Sequence, residues 1–218
     1  RAKKRLEGAR NALEESRMKL NKIEAQASDA EMKERLGPAR AMLELEARRI
    51  RQKQWYEKFR WFKCSTGALV VAGRDSVTNE VLIKKYTGEN DVVFHADVVG
   101  APFVVMKMDG RQPDEQCLHE AAEFAAAFSR GWREGFASVD VYWVRLEQLS
   151  RAAPSGESLG HGSFAVRGER NWMRGTVLRT AIGIVVGENN DIQFIGGPLE
   201  AVKSKTRTLI VLGPGNET

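Results

Sequence analysis

The tightest constraint on the fold lies in residues 69–110, LVVAGRDSVTNEVLIKKYTGENDVVFHADVVGAPFVVMKMDG. Three apolar runs stand here, each closed by turn residues. Residues 68–72 end in Gly73-Arg74-Asp75. Residues 92–99 carry His95 and Asp97 and end in Gly100-Ala101-Pro102. Residues 103–108 contain Lys107 and end in Asp109-Gly110. Runs this short between turn residues read as strands. A polar helix lies between the first two, capped by Asp75 or Ser76 and running to about Tyr86; it carries Asn79, Glu80, Lys84 and Lys85. Charged groups inside apolar strands are costly to bury unless paired. The block therefore reads as one folded unit with a charged, hydrogen-bonded patch.

The chain beyond it continues the pattern. Pro113 suits a first helical position, with Asp114 and Glu115 favourable near the helix start, and an Ala-rich helix follows to about Gly135. Residues 139–149 alternate as a strand, with Val139, Val141, Trp143 and Arg145 on one side and Asp140, Tyr142, Val144 and Leu146 on the other. After a Gly- and Pro-containing loop at 150–162, strands are expected at 163–167, 178–186, 192–195 and 208–212. Strands grouped around two helices predict an α+β fold with a mostly antiparallel sheet.

Upstream, Leu6, Leu13, Leu20 and Ala27 recur every seven residues, with Ala9, Ser16, Ile23 and Ala30 between them. This a/d pattern predicts a coiled-coil helix. Gly37-Pro38 interrupts it, and it restarts through Leu36, Leu43 and Ile50 into WYEKFRWF at 55–62. Trp55, Phe59 and Phe62 fall at helical spacing, as an anchor for the arm or a platform for stacked bases. The expected organisation is a coiled-coil arm at 1–62, a globular domain at 63–213 and a flexible tail at 214–218. The heptad seam calls for a partner helix, from further chain or from a second copy. The start at Arg1, inside a helical pattern, reads as a piece of a longer protein.

Composition narrows the partners. The 218 residues carry a net charge of +5 and a pI of about 9.3, a mild bias toward acidic partners such as nucleic acid. No run approaches the length of a membrane span, so no membrane partner is expected. Cys64 and Cys117 stand in no metal or redox spacing, which suits a reducing cytosol.

Catalytic signals are sparse. His95 and Asp97, two apart on a strand, face the same side and could be a base with its orienter or two metal ligands. Nucleophile-elbow, phosphate-loop and dinucleotide patterns are absent. Neither a metal nor a cofactor is expected. The bland reading is that Arg74, Asp75, His95 and Asp97 form a satisfied polar network. A second patch, SFAVRGERNWMRGTVLR at 163–179, places Arg167, Arg170, Arg174 and Arg179 around Trp172. Arginines match phosphate oxygens and an indole offers a stacking face. Lys84, Lys85, Lys107, Arg74 and His95 would extend that RNA-binding surface.

Four separated motifs, WYEKFRWF, GRDSVTNEVLIKKY, VVFHADVVGAPFVVMK and APSGESLGHGSFAVRG, resemble in order the RNA-binding-type domain of the NFACT (NEMF/RqcH-type) ribosome quality control proteins. The resemblance covers residues 55 to about 186, and 1 to about 54 resemble part of the family's coiled coil. It maps motif positions onto Gly73, Arg74, Asp75, Asn79, Glu80, His95, Ala96, Asp97, Gly100, Lys107, Gly156, Glu157, Gly162, Ser163, Phe164, Arg167 and Gly168. Phe103 departs from the small polar residue expected after Ala101-Pro102. The resemblance implies a cytoplasmic, non-enzymatic module that binds obstructed large ribosomal subunits and tRNA or rRNA, in support of C-terminal tailing of stalled chains. Two alternatives stand beside it: a hydrolase or nuclease centred on His95 and Asp97, and a purely protein-interaction scaffold.

Overall fold

Asp75 is where the chain turns into its first long helix, Ser76–Tyr86 (α1). Its carboxylate accepts from the Thr78 amide at 2.8 Å, and Thr78 Oγ1 accepts from the Asp75 amide at 2.9 Å. This reciprocal cap satisfies donors that the first turn leaves open. The structure is a computed structural model, and it describes residues 11, 14–22, 54–151, 160–187 and 192–215.

Six strands form the main sheet: β1 (Arg60–Lys63), β2 (Leu69–Ala72), β3 (Val92–Ala96), β4 (Val104–Met106), β5 (Ser138–Arg145) and β8 (Asn171–Val177). Their order is β1-β2-β4-β3-β5-β8, and every pairing is antiparallel. The expected α+β class with an antiparallel sheet is what the chain adopts. Both faces of the sheet are covered, which is why its central strands read as nearly unbroken apolar runs. One face (Val70, Phe94, Val104, Met106, Val141) packs on helix α2, Glu115–Ala127, through Ala121, Ala122, Phe124 and Ala125. The other (Val71, Val93, Val105, Val144) packs on Leu82 and Ile83 of α1 and on Phe59. The alternation read in 139–146 holds, with Val141 and Trp143 on the first face and Tyr142 and Val144 on the second.

Two short strands, β6 (Leu149–Ser150) and β7 (Ala165–Val166), pair beside it. A separate three-stranded sheet has the order β10-β9-β11, from β9 (Thr180–Val186), β10 (Ile192–Gly197) and β11 (Leu209–Leu212). Helix α4 (Leu199–Lys203) covers one of its faces through Leu199 and Val202 against Ala181, Ile195 and Leu209.

Several expectations are corrected. Trp55–Lys58 is a 3-10 turn and Arg60–Lys63 a strand, so the helical spacing of Trp55, Phe59 and Phe62 does not continue the arm. Phe59 instead sits in the core beneath α1, while Phe62 packs on Phe124 of α2. The chain divides at Gln54/Trp55 into two compact units rather than at 62/63. Helix α2 begins after Asp114, not at Pro113, because the Asp114 carboxylate accepts from the Cys117 amide at 2.8 Å. It stops at Ala127 instead of Gly135. Ser129 there caps a separate turn, α3 (Arg130–Arg133), and donates from its hydroxyl to the Ala126 carbonyl at 2.7 Å. Strand β8 and helix α4 were not foreseen. Cys64 and Cys117 are 53 residues apart but form a disulfide with a Cα–Cα distance of 5.7 Å. The β1–β2 turn and the first turn of α2 bring them together, which sequence spacing does not report.

In the first unit, residues 11 and 14–22 are helical and exposed. The remaining heptad positions of the expected coiled coil lie outside the described residues, as do Gly156, Glu157 and tail residues 216–218. No helix among the described residues is long and apolar enough to cross a membrane.

Candidate nucleic-acid interface

A cleft of about 610 Å³ opens where the start of α1, the turn after β3, α3 and the loop at 160–164 meet. Two glycines allow the approach. A side chain at Gly73 would overlap Asn79 Oδ1, and one at Gly162 (φ +77°) would overlap the Ser76 carbonyl. Asn79 Oδ1 accepts from the Phe103 amide at 3.2 Å, tying α1 to the opposite strand. Motif residues Arg74, Asp75, Asn79, His95, Gly100, Gly162, Ser163 and Phe164, scattered along the sequence, thus line one cavity.

Its charge is strongly positive. Arg60, Arg74, Arg130 and Arg133 line the cleft. Arg60 donates to the Gly73 carbonyl at 2.7 Å and lies over the Phe128 ring at 4.8 Å; Arg74 donates to the Phe59 carbonyl at 3.1 Å. These acceptors fix direction without cancelling charge. Among the described residues, Arg130 is ion-paired to Glu134 at 2.9 Å, and no carboxylate forms an ion pair with Arg60, Arg74 or Arg133. Burial and then the neighbouring Arg74 charge lower the Arg60 pKa, with Asp75 partly offsetting them. Asp75 is engaged as the helix cap, and its own pKa is lowered by the Thr78 hydrogen bonds. Arg60, Arg74 and Arg133, facing one cleft with Asp75 as its lining carboxylate, leave a positive balance that suits an anion.

Beside the arginines runs a row of rings. His95 lies 4.8 Å from Phe103 and 5.8 Å from Tyr142 between ring centroids. Phe103 is 5.5 Å from Phe164, and Tyr142 is 5.3 Å from Trp172. Sheet register builds the row, since His95 pairs with Tyr142 and Tyr142 with Trp172. Burial pushes the His95 pKa below its ordinary value, against the opposing pull of the Ala101 backbone and the Asp97 charge. Among the described residues its Nδ1 is buried without a hydrogen-bond partner. Asp97 follows the end of β3 and is exposed; its amide donates to the Asp140 carbonyl at 2.8 Å. Arg170 lies over Tyr142 at 4.7 Å and Arg174 over Trp172 at 3.9 Å. Arg174 is also ion-paired to Asp140 at 2.5 Å.

The structure thus brings Arg74, His95, Arg170, Trp172 and Arg174 into one connected surface through Tyr142. Other sequence-derived positions stand apart. Lys107 closes a buried ion pair with Asp91 and donates to the Tyr86 carbonyl at 2.7 Å. Asp91 accepts in addition from the amides of Gly88 and Met108. Lys84 pairs with Glu80 at 2.5 Å, and Glu80 also lies 3.2 Å from both Arg151 and His161. Lys85 is exposed on α1, and Arg167 is exposed after β7, next to Gly168. Arg60, Arg130, Arg133 and Tyr142 were missed as site residues, while Phe164 was mapped only as a motif position. The alternation that puts Tyr142 on the face of Val144 gave no sign that its ring, only 7% exposed, lines the cleft.

Comparison with known proteins accords with this geometry. The family model described as the NFACT protein RNA binding domain matches residues 58–168, just over half of the chain. The archaeal Rqc2 homolog aRqcH of Methanocaldococcus jannaschii is 42% identical over 167 residues, which are 77% of this chain and 25% of that protein. The ribosome quality control complex subunit NEMF of Homo sapiens is 32% identical over 173 residues, 79% of this chain and 16% of the relative. The Rqc2 homolog RqcH of Bacillus subtilis is 26% identical over 103 residues, 47% of this chain and 17% of the relative. The chain spans a quarter or less of the length of these relatives. The matched segment contains α1, the cleft glycines and all of β3 to β7, and on that basis the chain belongs to the NFACT RNA-binding domain family.

Proposed function

We propose that residues 55–215 form the RNA-gripping unit of a ribosome quality control factor, and that it binds without catalysing a reaction. One observation carries this reading: guanidinium groups that no carboxylate neutralises adjoin, through Tyr142, a row of rings interleaved with Arg170 and Arg174. Phosphates would sit at Arg60, Arg74 and Arg133, and bases would stack beside Trp172. The relatives' names support a ribosome quality control setting; within it, the RNA would be tRNA or rRNA on an obstructed large ribosomal subunit in the cytoplasm, and binding would serve C-terminal tailing of the stalled chain. Residues 1–54 would act as the coiled-coil arm and pair with a further helix. Residue-mapped crosslinking of the protein to RNA on stalled large subunits tests this reading. Crosslinks at Arg74, Tyr142 and Trp172 are expected, and crosslinks confined to the arm would overturn it.

The buried Nδ1 of His95 in the cleft, without a partner among the described residues, favours one rival, a hydrolase or nuclease with His95 as base. That rival requires turnover of RNA or phosphoester substrates that His95→Ala eliminates. Absence of turnover across such substrates would dispose of it.

A further inference from the structure

The three-stranded sheet is apolar on both faces but covered on only one among the described residues. Alternation along β9 sends Ala181 and Gly183 toward α4, and Ile182, Ile184 and Val186 the other way. Register adds their neighbours on that outer face: Ile192 opposite Val186, Phe194 opposite Ile184, and Ile210 opposite Ile182. Leu212 follows two residues after Ile210. All seven side chains are exposed, from 37% for Ile184 and Leu212 to 74% for Phe194. The remaining outward positions in the ladder are Thr180 and Gly196, so no charged side chain interrupts the face. Apolar faces of this extent mark contact sites.

We infer that this face is where a second copy of the chain docks, sheet against sheet, in an arrangement related by a two-fold axis. Three observations favour a copy over an unrelated partner. First, an uncharged face meets itself without like-charge repulsion, in a protein whose net charge of +5 otherwise opposes self-association. Second, the exposed fractions correspond to on the order of 700 Å² of apolar surface, against roughly 800 Å² per partner in a standard interface. Third, the face carries a knob beside a hollow. Phe194 is its most exposed side chain and borders a groove of about 500 Å³ that Trp61, Phe128 and Leu212 help to line, with the cations of Arg60, Lys63 and Arg74 on the groove's far wall. A two-fold operation sets each knob against the partner's hollow, as a self-complementary interface requires. Twisted sheets pack face to face in this way at about 10 Å separation.

Sedimentation equilibrium on the whole 218-residue chain, from low to high micromolar concentration, tests the proposal. The expected result is a reversible two-chain species whose dissociation constant rises roughly a hundredfold or more in Ile184→Lys/Phe194→Lys, since two anchors of the contact are lost and like charges face each other. A single-chain mass for the unmodified protein throughout would overturn the proposal. So would a two-chain mass that the double substitution leaves unchanged, which would assign pairing to another surface such as the arm. Hydrogen exchange of the unmodified protein gives a second reading should the variant misfold. Amides of Ile192–Gly197 and Leu209–Leu212 should exchange more slowly at high concentration, and no concentration dependence there would also sink the idea.

Discussion

Arg60 and Arg74 at the cleft, and Lys107 and Arg174 elsewhere in the same unit, are all fixed cations, but they are fixed by different acceptors. The first two donate to the carbonyls of Gly73 and Phe59; the latter two close on the carboxylates of Asp91 and Asp140. A carbonyl orients a guanidinium and leaves its charge to act outward. A carboxylate orients it and cancels the charge. Cationic side chains therefore count toward a polyanion site by the charge of what holds them, not by their number. Lys107 then belongs to stability, Arg60 and Arg74 to binding, and Arg174 lies between the two.

Removing Asp91 should give the largest effect, and on the structural side of this contrast. Asp91→Ala leaves Lys107 buried and unpaired and frees the amides of Gly88 and Met108. A loss of about 3–5 kcal/mol in urea unfolding is expected. RNA affinity of the remaining folded protein should not change, and a parallel loss of affinity would return Lys107 to the binding surface.

Next comes Arg60→Glu with Arg74→Glu. Filter binding of tRNA or large subunits at moderate salt should weaken about a hundredfold, and the slope of log affinity against log salt should flatten by about one to two. An unchanged slope would mean that the cleft meets no phosphate. Trp172→Ala should cost about tenfold in affinity for single-stranded RNA, the scale of roughly one stacked base, with the salt slope preserved. Arg174→Gln should matter least, about threefold or less, because an exposed pair with Asp140 already takes up its charge. A loss matching that of Arg74 would erase the distinction drawn here.

The His95 ring gives a pH test of the rings rather than the cations. Its folded pKa lies below the ordinary value, so the unfolded chain binds the proton first. Stability should hold above the ordinary histidine pKa and fall as pH drops from there toward the lowered value. In His95→Gln this part of the pH dependence should vanish, and equal profiles would show that another group titrates.

Much of the fold was legible because local signals agreed with the tertiary outcome. Asp75 before a polar helical stretch, and apolar runs between Gly- and Pro-containing turns, needed no distant contact to be read. Where two periods fit the same residues, the reading failed. Trp55, Phe59 and Phe62 suit a helical face, yet they belong to a turn and a strand whose alternate residues, Trp61 and Lys63, point outward. Strand β8 was hidden by Arg170, Trp172, Arg174 and Gly175, which look like a basic loop until Trp172 meets Tyr142 on one face and Met173 meets the buried core on the other. Family resemblance collected Arg74, His95, Gly162 and Ser163 as a set without saying what joins them. Arg133 could not be added from sequence, because its place depends on the helix ending at Ala127. The disulfide of Cys64 with Cys117 was illegible for a similar reason: only the folded chain supplies their proximity.

The cleft's walls are drawn from four stretches, near residues 60–79, 95–103, 128–133 and 161–164. Because Gly162 must sit against Ser76, the last stretch has to be synthesised before the first can be completed. The cavity therefore closes late in translation, once the chain has passed Phe164. A product truncated earlier could keep α1, α2 and most of the strands and still have no cavity to offer.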